Sequence, residues 1–357
     1  MIEDVRRPGQ PAEIRLLDYD GSLLGAAPMG VEKARQAMRL MLLSRATDER
    51  FIKLQRMGRV GIYGPVHGQE ASVIGSAMAL SPARDWMVPA SREHLAMHLH
   101  GLPLATLYAA YLGRIDHTAV PAGVRLLPRQ QAIGAQLPHA TGLAWALKLQ
   151  RLPGAVMVYF GEGAASEGDF HEAANLAGVI GAPLVMVLIN NQYAISTPAH
   201  RQSAAPNLAA RAIGYGFPGV LVDGNDLFAV HAAATEAVER AVAGQGPTLI
   251  ECRTYRMGFH NTSDNPREYR ADSEVEDAAE RDPIDRLRLW LTGEGAWSPQ
   301  VEAEMVAQVT TEIDAAIAEV NTQARPGAEA IFNHVYAELP SRIEQQRRDT
   351  VALNEDG

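Results

Sequence analysis

Ala155-Val156-Met157-Val158-Tyr159-Phe160, followed at once by Gly161-Glu162-Gly163, is the stretch from which the fold can be read. A short continuous apolar run ending in glycine makes a buried strand, and the spaced apolar residues from Asp169 to Ile180 make the helix after it. The pattern recurs. Pro183 to Ile189, Val220 to Val222 and Pro247 to Thr254 are further apolar runs, with helical stretches at Leu208 to Tyr215 and Leu227 to Val242 between the later ones. Strand and helix alternating in this way predict an α/β fold, a parallel sheet with helices on both faces, whose ligands bind at the carboxyl ends of the strands.

Outward from this centre, residues 31–270 read as one α/β domain. It opens on a long amphipathic helix from Val31 to Gly58, followed by helices near Gln69 to Leu80, Glu93 to His100, Pro103 to Tyr111 and Leu137 to Gln150. Residues 1–30 read as an arm with a strand-like piece at Ile14 to Leu17 and few expected core contacts. Residues 271–352 read as a helical C-terminal extension, with helices at Pro283 to Leu291, Val301 to Ala324, Ala328 to Ala337 and Ser341 to Val351. The tail 353–357 is expected to be disordered.

The 357 residues carry 32 Lys+Arg against 42 Asp+Glu, a formal charge of −10 that argues against nucleic acid as a partner. At 47% hydrophobic and 21% charged, the chain has the apolar mass for a large core. Its longest apolar runs are far too short to span a bilayer, and its first residues lack the apolar core of a signal peptide. The single cysteine, Cys252, lies in an apolar run and reads as a buried strand thiol. These features predict a soluble cytoplasmic protein without a membrane partner.

Gly161-Glu162-Gly163, with Ala164 after it, can expose backbone N–H groups to a phosphate. A lone turn of this kind is weak evidence, but Asn190-Asn191-Gln192-Tyr193 follows the next strand directly. In a parallel sheet both strand ends open on one edge. The Glu162 carboxylate, the Asn191 amide oxygen and the Tyr193 main-chain carbonyl are then three hard oxygen ligands suited to Mg2+ carrying a diphosphate.

These residues carry a resemblance. Phe160 to Asp169 and Asn190 to Pro198 resemble the thiamine-diphosphate motif of the alpha subunit of the decarboxylating component of 2-oxo acid dehydrogenase complexes. Val222-Asp223-Gly224-Asn225-Asp226, Gly246 to Glu251, Thr254 to His260 and Phe332-Asn333-His334-Val335-Tyr336 continue it. The resemblance implies the thiamine-diphosphate-binding fold and a heterotetramer of two alpha and two beta subunits. The beta subunit would supply the glutamate that activates the cofactor, so the chain alone should be inactive. It also implies oxidative decarboxylation of a small-molecule 2-oxo acid, with the acyl unit passing to a lipoyl-bearing transacylase.

By the same resemblance His260 reaches the diphosphate and assists acyl transfer, Arg92 holds the diphosphate, and the main chain of Ile133 meets the aminopyrimidine. Arg256 is given an ordering role in the same loop. Glu at 162 and the C-terminal stretch are most similar to the branched-chain enzyme, with pyruvate or acetoin dehydrogenase alpha subunits, or a non-catalytic paralogue, as alternatives. The sequence departs from the family in Ser91 before Arg92, in Ile189, and in a shortened stretch between Tyr111 and Gln136. Asn261 stands where many animal members have a phosphorylatable serine.

Overall fold

The computed structural model describes residues 12–333 and 335–355. Its main sheet has five strands, β1 (Trp86–Val88), β2 (Val156–Gly161), β3 (Leu184–Asn190), β6 (Gly219–Asp223) and β7 (Thr248–Arg253), in the order β1-β2-β3-β7-β6. Every pairing is parallel. A small antiparallel hairpin, β4 (Tyr193–Ala194) with β5 (Thr197–Pro198), hangs from the end of β3.

Among the described residues, twelve α-helices surround the sheet. They are α1 (Val31–Arg56), α2 (Glu70–Ala77), α3 (His94–Leu99), α4 (Leu104–Tyr111), α5 (Gln136–Gln150), α6 (Gly168–Ile180), α7 (Arg211–Gly214), α8 (Leu227–Val242), α9 (Asp272–Ala279), α10 (Pro283–Gly293), α11 (Pro299–Thr322) and α12 (Ser341–Glu355). Strand periodicity sorts the core into two halves. Met157, Tyr159, Val185 and Val187 face the layer that holds α1, α2, α8, α10 and α11. Val156, Val158, Phe160, Leu184, Met186 and Leu188 face α5 and α6. Both faces of β2 and β3 are covered, which is why these runs carry no polar alternation. Cys252 is free and buried in β7. Among the described residues no helix is long and apolar enough to cross a membrane.

Several elements differ from expectation. β1 is only three residues long, too short to stand out as an apolar run, and exists because it pairs with β2. The acidic α9 is short and carries few apolar residues; it is started by the Glu274 carboxylate, which accepts from the Ala271 N–H at 3.2 Å. The helix expected at Leu208 to Tyr215 shrinks to the single turn of α7, and the one expected at Ala328 to Ala337 is a 3-10 turn at Ala328–Ile331. α12 runs on to Glu355, so residues 353–355 of the expected disordered tail are helical; 356 and 357 lie outside the described residues, as do residues 1–11 of the arm and His334.

The arm is also more deeply embedded than expected. Leu17 is fully buried, Ile14 bridges to Val222, and Asp226 accepts from the N–H groups of Leu16 and Leu17 at 2.6 and 2.8 Å. The same carboxylate caps α8 through Phe228 and Ala229 and lies 3.6 Å from the buried Arg286 guanidinium. Asp226→Ala should therefore release the arm and uncap α8 together, costing about 3 kcal/mol. Urea unfolding of the variant, with the arm's proteolytic sensitivity followed in parallel, checks this.

Candidate active site

Four neighbouring parallel strands end at the same edge, and the segments leaving β1, β2, β3 and β7 build one cavity of about 570 Å³. Arg92, Ile133, Gly161, Glu162, Gly163, Ala164, Asn191, Tyr193 and His260 all line it. Every site residue read from the sequence therefore meets the same space. The β3–β7 ladder continues past the strands, with Thr254 N–H donating to Asn190 O at 2.9 Å and Arg256 N–H to Asn191 O at 3.2 Å. This extension places the loop carrying His260 over the Asn191 turn.

Gly161-Glu162-Gly163 leads into a 3-10 turn, Ala164–Ser166, and α6 begins at Gly168, within one residue of the expected helix start. Gly163 has an ordinary φ of −61°, but a Cβ there would lie 2.9 Å from the Ala194 Cβ. Its role is to let the β4–β5 hairpin come close. Gln192 and Ile195 have positive φ, 74° and 54°. For a β-branched residue such as Ile195 this conformation is strained and must be held by its surroundings. The Arg256 guanidinium does so, donating to Ile195 O at 2.7 Å, to Tyr193 O at 3.2 Å and to the Tyr269 hydroxyl at 2.6 Å.

Glu162 is buried, and its carboxylate accepts from the Asn191 N–H at 3.2 Å. Burial raises its pKa, against the opposing pull of that hydrogen bond and of Arg256 and Arg92. Asn191 Oδ1 accepts from the Tyr193 N–H at 3.3 Å. The three residues that offer one carboxylate and two neutral carbonyl-type oxygens are thus linked by consecutive hydrogen bonds and line one cavity. Among the described residues no group of three or more His, Cys, Asp or Glu could hold a metal ion. The Glu162, Asn191 and Tyr193 set is of another kind, with hard oxygens matched to Mg2+. Tyr193 O already accepts from Arg256, and a carbonyl keeps a second lone pair. Two cavity-wall amides are buried and half satisfied: Gln69 Nε2 and Gln136 Oε1 have no partner. The Gln69 donor, in a cavity that Arg92 lines and with Arg92 and Arg256 both acting on Glu162, suits an anionic ligand, while the Gln136 oxygen suits a donor group, so the residues present fit a metal-bound diphosphate.

Arg92 is fixed by main-chain carbonyls on the cavity wall. Its guanidinium donates to the carbonyls of Pro65 and His260, the latter at 2.7 Å. His260 Nδ1 faces Arg92 Nη2 at 3.3 Å and Arg256 Nη1 at 3.4 Å. Guanidinium nitrogens only donate, so Nδ1 is the acceptor and Nε2 carries the ring proton. Burial, then Arg92 and Arg256, push the imidazole pKa down to about 4, and the ring is neutral at pH 7. The surrounding loop is tied down: His260 N–H and the Tyr269 hydroxyl both donate to Asp264, at 2.6 and 2.7 Å, and Thr262 N–H donates to Tyr63 O at 2.9 Å.

Three supporting residues lie outside the set of site residues read from the sequence. Gln69 was read as part of a helix start, yet it is 1% exposed and accepts from Asn191 Nδ2 at 3.0 Å. Glu70 is a fully buried ion-pair partner of Arg45, which also reaches Asp282 at 2.7 Å. Asp48 looked like one more polar position of α1. It accepts from the Tyr63 hydroxyl at 2.7 Å and from the N–H groups of Val66 and His67 at 2.8 and 3.0 Å, fixing the segment whose Pro65 carbonyl holds Arg92. The only sequence signal was an acid on the apolar face of the helix.

Burial raises the Asp48 pKa to about 7 from 3.8. A carboxyl with a raised folded-state pKa contributes stability that is full below its unfolded value and lost as pH rises through the folded one. Asp48→Asn keeps an acceptor for the two N–H groups. It should flatten the fall in stability between about pH 4 and 7 that the wild type shows, an effect of a few kcal/mol. Urea midpoints measured across that range check it.

Comparison with known proteins agrees with this geometry. A family model described as "Dehydrogenase E1 component" matches residues 38–329. The chain is 38% identical to the pyruvate dehydrogenase E1 component subunit alpha of Staphylococcus epidermidis over 337 residues, 93% of this chain and 91% of that protein. It is similar to the same degree, 38% over the same shares, to the protein of that name from Staphylococcus aureus. With the cavity at the strand ends and a match spanning most of both chains, the chain belongs to the dehydrogenase E1 component family.

Proposed function

We propose that the chain is the alpha subunit of a pyruvate dehydrogenase-type E1 component, binding thiamine diphosphate through Mg2+ and working in the cytoplasm with a separate beta subunit. The observation that carries this is the single cavity shared by Glu162, Asn191, Tyr193, Arg92 and His260. Glu162, Asn191 Oδ1 and Tyr193 O would hold the metal, and Arg92 with the turn Gly161 to Ala164 would hold the diphosphate. The Ile133 main chain would meet the aminopyrimidine. When bound, the cofactor supplies the electron sink for loss of carbon dioxide from a 2-oxo acid. His260, neutral and protonated at Nε2, offers a donor whose position is set by two arginines.

The branched-chain reading rested on Glu at 162 and the C-terminal stretch. The relatives bear the name of pyruvate dehydrogenase, which supports pyruvate as the substrate ahead of a branched-chain acid. The shared family supports partnership with a lipoyl-bearing transacylase. The test is turnover by the alpha and beta chains purified together, read as carbon dioxide release from pyruvate and 3-methyl-2-oxobutanoate and as acetaldehyde release from acetoin, which has no carboxylate to lose. The highest kcat/KM is expected with pyruvate. A preference of tenfold or more for the branched acid would return the assignment to the branched-chain type, and no turnover with any of them would leave the non-catalytic paralogue.

A further inference from the structure

Two hydrogen bonds decide which way the Asn191 amide faces. The Tyr193 N–H lies 3.3 Å from one end of that amide, and Gln69 lies 3.0 Å from the other. A main-chain N–H can only donate, so the end it meets is Oδ1 and the opposite end is Nδ2. The Gln69 atom facing Nδ2 must then be its oxygen. This assignment leaves Gln69 Nε2 as the buried donor without a partner.

Gln69 itself is rigidly placed. It is 1% exposed and opens α2 immediately after Gly68. Gly68 has a φ of +93°, and a Cβ there would lie 2.4 Å from Tyr255 O, so only glycine fits. Glu70 locks the same turn by accepting from the Gly68 N–H at 2.9 Å while it is paired to Arg45.

We propose that Gln69 is a positioning residue for the metal site: it clamps the Asn191 amide so that Oδ1 remains a cation ligand, and its spare Nε2–H serves an oxygen of the anion that the cation carries. This rests on the magnesium diphosphate reading above. An Asn191 flipped end for end would turn an NH2 group, which has no free lone pair, toward the cation. With Gln69 in place the flip costs two hydrogen bonds, and without it only the weak contact to Tyr193 N–H opposes it.

The test uses the complete alpha–beta complex and reads magnesium-dependent thiamine diphosphate binding by calorimetry, with the melting temperature of the cofactor-free complex as a fold control. Gln69→Leu and Gln69→Asn both remove the clamp and should raise the magnesium concentration for half-saturation by roughly tenfold or more, the scale on which partners behind a metal ligand act. Gln69→Glu keeps an acceptor for Asn191 Nδ2 but loses the donor. Its magnesium half-saturation should stay within about threefold of wild type while its affinity for the cofactor at saturating metal falls about tenfold, on the scale of a lost charge-assisted hydrogen bond. A folded clamp-free variant with unchanged magnesium dependence would overturn the proposal. A wild-type complex that binds the cofactor without any divalent cation would instead overturn the reading beneath it.

Discussion

Glu162→Ala is expected to remove magnesium-dependent binding of thiamine diphosphate and to lower turnover by three orders of magnitude or more at ordinary cofactor concentrations, about 4 kcal/mol of lost stabilisation. Glu162 is the one carboxylate among the three proposed ligands, so its loss takes away the charge that draws a divalent cation into a cavity lined by Arg92, with Arg256 also close enough to act on Glu162. Removing partners that merely orient ligands costs about 10–100-fold in metal affinity, and removing a ligand costs more. The variant should nevertheless fold. Burial raises the pKa of Glu162, so at pH 7 the folded state bears the cost of a desolvated charge, and alanine relieves that cost. A melting temperature equal to or above wild type, beside abolished metal-dependent binding in calorimetry, is the expected pair of results. Tight cofactor binding by the variant with its metal dependence intact would remove Glu162 from the site.

His260→Ala is expected to lower kcat by about 10²–10³-fold, the cost of losing one well-placed donor. Cofactor affinity should change far less, because Arg92 keeps its contact with the Pro65 carbonyl when the imidazole is gone. The ring's low pKa adds a second expectation. With the imidazole neutral above about pH 4, the activity profile from pH 6 to 9 should contain no limb that disappears in the variant. Its sign is fixed by the two guanidinium groups that face Nδ1: they disfavour the imidazolium, so any titration of His260 lies on the acid side. A limb near pH 6.5 that vanishes on substitution would mean that the two arginines are not held against the ring during turnover.

The site and the fold were legible to different degrees, and for reasons that can be stated. β2 and β3 are buried on both faces, so their runs of apolar residues are visible without knowing what covers them. Because both are parallel neighbours, with Gly161 opposite Ile189, the residues just beyond their ends had to meet. Glu162, Asn191 and Tyr193 could be paired from spacing alone on that ground. Arg92 and His260 had no such local argument. They came through the resemblance, and they reach the cavity because β1 and β7 flank the central pair.

What the amino-acid order determined by itself was the alternation of strand and helix, the edge at which ligands gather and the oxygen donors placed there, since each follows from local periodicity and the geometry of a parallel sheet. The tertiary structure alone decided the rest. Asp48, Gln69 and Glu70 hold partners brought to them from other elements, Asp226 ties the arm to α8 and α10, and a three-residue β1 persists only against β2. The physical reason is common to all of them. A buried polar group or a short strand draws its stability from what the rest of the chain places beside it, and a linear pattern records the residue but not its partner.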